Sequence, residues 1–227
     1  MPGSDSALLA IFDHDGILVD SLPFHVESWY ELGRREGLEI TEAFVRATFG
    51  MTNPMILRRL LGADLDPARI ARYGEVKEAA YRDLARGKIV LMPGVRELLD
   101  GLTHAGVTLA IGSSGPRLNL ELTVTECGLS GRFATIVPVE DLRHGKPDPE
   151  VFLKAAERVG IPPARAVVFE DAPVGVQAAK AAGMVAVGVG TTHPLDALRR
   201  AGADEVVPDL VGFPVERLLR RLTERVA

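Results

Sequence analysis

Short apolar runs alternating with helical stretches leave this chain very few folds to choose from. Residues 8–12, 107–111, 133–137, 166–169 and 185–189 form runs of four or five mostly apolar residues. Helical stretches at 118–127, 149–159 and 174–182 separate the later runs, and another, 95–105, precedes them. Gly106, Gly128 and Gly183 stand where helices should stop, and Asp148 where one should start. A strand that is apolar throughout, instead of alternating, is buried on both faces. Such strands separated by helices predict an α/β fold, a doubly wound, parallel, Rossmann-like sheet covered on both sides. The tail repeats the theme weakly, with a helix over 194–201, a strand over 205–207 and a helix over 215–225.

Residues 22–88 interrupt the alternation. They are rich in Arg, Glu, Leu and Ala, and no stretch among them reads as a strand. Helices are predicted over 23–35, closed by Gly37, and over 41–48, 54–61 and 67–85. Asp66-Pro67 supplies an N-cap followed by proline at the first helical position. The expected organisation is an α/β core of residues 1–21 and 89–227 carrying an inserted helical cap domain, 22–88. Hinges are expected near Ser21 and across 88–93.

The 227 residues, 47% hydrophobic and 25% charged, suffice for one large domain with such an insertion. A net charge of −5 gives no electrostatic footprint for nucleic acid or an anionic membrane. A single cysteine, Cys127, cannot pair internally, which fits a reducing compartment. No apolar stretch approaches the roughly 20 residues that span a bilayer, and residues 1–7 lack the features of a signal peptide. The chain is therefore expected to be cytoplasmic and monomeric, with no nucleic-acid or membrane partner.

The polar residues that follow the apolar runs carry the chemistry. Phe12 is followed by Asp13-His14-Asp15-Gly16, Ile111 by Gly112-Ser113-Ser114, and Phe169 by Glu170-Asp171. In doubly wound sheets, ligands bind beyond the carboxyl ends of the strands. Asp13 and Asp15, two apart in extended backbone, can face the same way, and a divalent cation relieves their repulsion. With Glu170 and Asp171 they make an oxygen-only set that suits Mg²⁺ rather than zinc. Lys146, in Gly145-Lys146-Pro147, and the hydroxyls of Ser113 and Ser114, beside that carboxylate set, supply what a phosphoryl group requires: neutralisation, orientation and a nucleophile, a part a carboxylate can play.

These four ordered motifs resemble those of haloacid dehalogenase superfamily hydrolases with a helical cap after the first strand. The similarity is greatest to the β-phosphoglucomutase-like sugar-phosphate phosphatases, and it covers essentially the whole chain. The resemblance implies that Asp13 attacks the phosphoryl group to form an aspartyl-phosphate. Asp15 would protonate the leaving oxygen and later activate water. Ser113 and Lys146 would hold phosphoryl oxygens. Mg²⁺ would bind the Asp13 carboxylate, the Asp15 backbone carbonyl, Glu170 and Asp171. Because Asp15 must carry a proton at one step and lose it at the next, a raised pKa is expected for it in the closed state. The implied activity is hydrolysis of a small phosphorylated metabolite, a sugar or polyol phosphate. A β-phosphoglucomutase is the nearest alternative, and a phosphorylatable receiver-type signalling module a more remote one.

Several positions depart from the family pattern. His14 replaces an aliphatic residue or Met, and alternation points it away from the pocket, towards packing or a neighbouring hydrogen bond. Gly115 stands where a third small hydroxyl residue is common, and Arg117 is a candidate to compensate. In the cap, His25 matches a histidine that helps time the second acid, and Trp29 is expected to pack the domain. The loop 50–53 should lean over the site, but it ends in Asn53 where mutases tend to carry Arg. Lys77 and Arg82 are candidates for that missing charge, although the Arg- and Glu-rich helix around Lys77 reads more readily as a solvated face. Loss of the Arg favours hydrolysis over the mutase reaction.

Overall fold

The computed structural model describes residues 7–224 and puts the earliest apolar run at the middle of a sheet. That strand, β1 (Leu9–Phe12), is buried throughout. It pairs in parallel with β2 (Thr108–Gly112) on one side and β4 (Ala166–Glu170) on the other. β3 (Thr135–Val137) lies outside β2, and β5 (Val185–Val189) and β6 (Glu205–Val207) continue beyond β4. The order is β3-β2-β1-β4-β5-β6, all parallel, so the chain reverses its direction of travel across the sheet between β1 and β4. A crevice opens at such a switch point.

Side chains of successive strand residues leave on opposite faces, and the core divides accordingly. Ala10, Phe12, Val167, Phe169, Val185 and Val187 pack on one face with α5 (Val95–His104), α6 (Arg117–Glu126) and α10 (Val215–Glu224). Leu9, Ile11, Ala166, Val168 and Ala186 pack on the other with α7 (Glu150–Val159), α8 (Pro173–Ala181) and α9 (Leu195–Arg200). The Rossmann-like sheet expected from the apolar runs is the sheet observed. The helix expected over 215–225 is observed to Glu224, and Arg225 lies outside the described residues.

Between β1 and α5 lie four more helices: α1 (Leu22–Glu36), α2 (Glu42–Ala47), α3 (Asn53–Leu61) and α4 (Pro67–Ala85). Gly37 closes α1 in the left-handed region at φ 65°, and the Asp66 carboxylate accepts from Ala68 N to start α4. These helices bury a cluster of their own: Trp29, Leu32, Val45, Ile56, Leu57, Ile70 and Tyr73. The chain rejoins the sheet region where Val19 bridges Leu91 and Met92 N donates to Leu18 O. No helix among the described residues is long and apolar enough to cross a membrane.

Candidate active site

The ends of β1 and β4 are locked together before they deliver their acids. Phe12 stacks on Phe169 with ring centroids 4.8 Å apart, and Asp13 N donates to Phe169 O at 3.0 Å. The next residues on each strand, Asp13 and Glu170-Asp171, then meet over the switch point. Carboxylate oxygens of Asp13, Glu170 and Asp171 lie within 4.8 Å of one another, all buried. Lys146 Nζ reaches the group from the loop before α7, 2.9 Å from Asp13 Oδ1 and 2.5 Å from Glu170 Oε1. Ala172 N donates to Glu170 Oε2 at 2.8 Å.

Two glycines make room for this packing. A Cβ on Gly175 would fall 1.7 Å from Glu170 Oε1, so only glycine lets α8 approach the acid. Gly16 combines φ +76° with a Cβ position 2.1 Å from Asp171 Oδ2.

One ammonium among three buried carboxylates leaves the site short of positive charge. Burial pushes the Asp13 pKa up to about 7, with Glu170 and Asp15 adding to the rise and Lys146 opposing it. Burial, then Glu170 and Asp13, hold Asp171 well above the usual range. Burial alone would lower Lys146, but Asp13 and Glu170 outweigh it and raise its pKa. Asp171 Oδ1 is buried and accepts no hydrogen bond, and Asp13 Oδ1 is met only by the Lys146 ammonium. An orphaned oxygen of this kind is costly, and an all-oxygen set suits a hard divalent cation. The residues therefore fit Mg²⁺. The Asp15 side chain stands outside the three-carboxylate group.

Asp15 faces a different set of partners. Its Oδ1 accepts from Ser21 Oγ at 2.6 Å, His14 Nδ1 at 2.9 Å and His25 Nε2 at 3.1 Å. Burial would raise its pKa, but His14 and His25 hold it well below the usual range. The raised value expected for Asp15 concerns the closed state, whereas here Ser21, His14 and His25 all hold the carboxylate. His14 is buried, and its Nε2 contacts Thr123 Oγ1 at 2.7 Å, a neighbouring hydrogen bond as the alternation implied.

Lys77 corrects the sequence reading: it is 1% exposed, not solvated. Its Nζ donates to His25 Nδ1 at 2.7 Å and to Glu78 Oε1 at 2.8 Å. An ammonium has no lone pair, so His25 Nδ1 must accept and Nε2 carries the proton given to Asp15. Glu78 also takes Asn53 Nδ2 at 2.8 Å and Asn119 Nδ2 at 2.7 Å, while Arg82 Nη1 donates to Asn119 Oδ1. Trp29 packs the helical cluster as expected, and Lys77 Nζ sits 5.6 Å from its ring centroid.

A small cleft joins these groups, lined by Asp13, Asp15, Ser113, Ser114 and Gly115. Trp29, Phe49, Met51 and Ile56 form an apolar wall opposite, with Asn53, Lys77 and Glu78 beside it. Ser114 Oγ is buried without a partner. Arg117 is not brought to the cleft: its guanidinium turns to Asp141 at 3.3 Å, which removes it as a compensating donor. Sequence reasoning missed Glu78 and Thr192, whose hydroxyl donates to Asp171 Oδ2. Thr191-Thr192 follows β5, so the strand-end rule that found the other polar residues also marks this pair.

A parallel sheet that gathers carboxylates, a lysine and hydroxyls at one carboxyl edge is suited to phosphoryl chemistry. The chain belongs to the haloacid dehalogenase-like hydrolases, whose family model matches residues 10–189. Among its relatives, validoxylamine A 7'-phosphate phosphatase of Streptomyces hygroscopicus subsp. limoneus is 35% identical over 89% of this chain and 93% of its own. Fructose-1-phosphate phosphatase of Escherichia coli (strain K12) is 34% identical over 79% of this chain and 94% of its own. The crystal structure of β-phosphoglucomutase from Clostridium difficile superposes with a TM-score of 0.85 over 97% of this chain and 99% of its own, at 24% identity.

Proposed function

We propose that this protein is a phosphoric monoester hydrolase acting on a small phosphorylated metabolite, a sugar or polyol monophosphate. The observation that carries the reading is Asp13, buried 2.9 Å from Lys146 Nζ and clustered with the carboxylates of Glu170 and Asp171. A carboxylate so placed can serve as nucleophile. Asp13 attacks phosphorus, the ester P–O bond breaks, and the departing oxygen takes a proton from Asp15. Water then attacks the phosphoaspartate, gives its proton to Asp15, and phosphate leaves with the Asp13 carboxylate restored. Ser113, Ser114 and Lys146 hold the phosphoryl oxygens.

Asp13, Glu170, Asp171 and the Asp15 backbone carbonyl would hold Mg²⁺, which when bound offsets the charge of the acids and of the phosphoryl group. The ionised Asp15 of this structure is the form needed to accept the proton of water. A dianionic phosphoryl group entering beside it opposes that charge and raises its pKa toward the form needed first. Residues 22–88 act as a cap over a core of 1–21 and 89–227, with His25, Asn53 and Lys77 facing the substrate end of the cleft.

Support for hydrolysis over phosphoryl return comes from the cap side. Lys77 is held by Glu78 and His25, and Asn53 by Glu78, so these side chains are already engaged where a second phosphate would need a cation. Phosphate release from a panel of sugar and polyol monophosphates, with Mg²⁺ and with chelator, tests the reading. Mg²⁺-dependent release from at least one member, absent in Asp13→Asn, is expected. Conversion of β-glucose 1-phosphate to glucose 6-phosphate without free phosphate would favour the mutase instead.

A further inference from the structure

We propose that His14 is a positioning residue: braced by Thr123, it fixes the Asp15 carboxylate so that Oδ2 is the oxygen left for proton transfer. The inference rests on the reading of Asp15 as acid and base. All three hydrogen bonds to this carboxylate go to Oδ1, from Ser21, His14 and His25. A carboxylate oxygen offers two lone pairs, so three donors saturate it. Oδ2 accepts nothing from the described residues. A Cβ built on Gly115 would lie 3.7 Å from it, so Oδ2 faces the end of the cleft where Ser113, Ser114 and Gly115 gather.

The two histidines hold Oδ1 from different parts of the fold. His25 belongs to α1 and is itself held by Lys77 of α4. His14 leaves the end of β1 and is held by Thr123 of α6, a helix on the sheet. Both ring nitrogens of His14 are engaged and both His14 and Thr123 are buried, so the ring cannot turn without losing a bond. If the four-helix unit moves away, His25 leaves with it. His14 and Thr123 remain, and the acid keeps its orientation. An acid held this way is ready to act before the cap closes on the substrate, a pre-organisation of the kind that sets the efficiency of proton transfer.

A misplaced acid harms most the substrates whose leaving oxygen needs a proton. The test is first-turnover release of phenol from phenyl phosphate and of nitrophenol from p-nitrophenyl phosphate, at enzyme excess with Mg²⁺. Phenol is the poorer leaving group, so the ratio of the two rates reports the acid. His14→Gln, which reaches Thr123 but not Asp15, should lower the phenyl-to-nitrophenyl ratio about tenfold or more. His14→Asn places an amide nitrogen near the position of Nδ1 and should keep the ratio within about threefold of the parent. Thr123→Val, which only releases the brace, should fall between them. Asp15→Asn in the same panel separates the two claims. If it leaves the ratio unchanged, the reading of Asp15 fails. If it lowers the ratio while His14→Gln and Thr123→Val do not, or if they slow both substrates equally, the role of His14 is overturned.

Discussion

Two lysines are buried to the same degree in this molecule, each against carboxylates, yet those carboxylates are satisfied to different extents. Lys77, on α4, and Lys146, beside the sheet edge, are both 1% exposed. The partner of Lys77 is saturated: Glu78 Oε1 accepts from Lys77 and Asn53, and Oε2 from Asn119. The group around Lys146 is not, because Asp171 Oδ1 is buried and accepts no hydrogen bond. Burial also raises Asp13, whereas Lys77 and His25 overcome the burial of Glu78 and lower it. A buried ion pair alone is therefore no mark of chemistry. What separates the two regions is a carboxylate oxygen left unpartnered at the sheet edge, where the carboxylate beside Lys77 has both oxygens engaged.

The sharpest way to break this contrast is to remove the nucleophile. Asp13→Asn should cut turnover on the order of 10⁴-fold or more while leaving the far-UV circular dichroism unchanged. Exchanging the lysines comes next. Lys146→Met should reduce phosphate release about 100-fold or more through lost positioning of the phosphoryl group. Lys77→Met leaves Glu78 buried without its cation and should cost about 3–5 kcal/mol in urea unfolding, with the smaller loss of turnover. Equal effects of the two substitutions on both measurements would erase the distinction. Gly175→Ala forces Glu170 aside and should cost about 1–3 kcal/mol, read in the same unfolding experiment.

The pH dependence of Mg²⁺ stabilisation is the subtlest of these tests. Burial raises the folded-state pKa of Asp13 to about 7 without metal, well above the ordinary carboxylate range. A raised acid contributes stability at low pH that is lost as pH climbs through the folded value. Metal-free protein should therefore lose stability between about pH 4 and pH 7 from this group. Mg²⁺ favours the carboxylate, so its stabilising shift in Tm should grow from pH 5 to pH 8. A shift that is constant with pH would place Asp13 outside the metal site.

The sheet and the strand-end acids were legible because both are one-dimensional signals. An apolar run that ends in Asp, Glu or Ser states its topology and its site in adjacent residues, as at Phe12-Asp13 and Phe169-Glu170. Glu78 and Asn119 were not legible, since they are 41 residues apart and meet only through packing of α4 on α6. Lys77 was misread from composition, although a helical period was available to correct it. Ile70, Tyr73, Lys77, Ala80 and Tyr81 share the buried face of α4, and Lys77 falls in step with them. Arg117 failed for the converse reason. Its place at the start of α6 is near the site in sequence, but its side chain is drawn to Asp141.

The central claim is that Asp13 becomes phosphorylated. Rapid mixing with a hydrolysed monophosphate and Mg²⁺, an acid quench and peptide mass spectrometry would test it most directly. A phosphoryl increment on the peptide carrying Asp13, absent in Asp13→Asn, is the predicted result. An increment on Ser113 or Ser114, or turnover that continues in Asp13→Asn with no acyl-phosphate at any time point, would contradict the account.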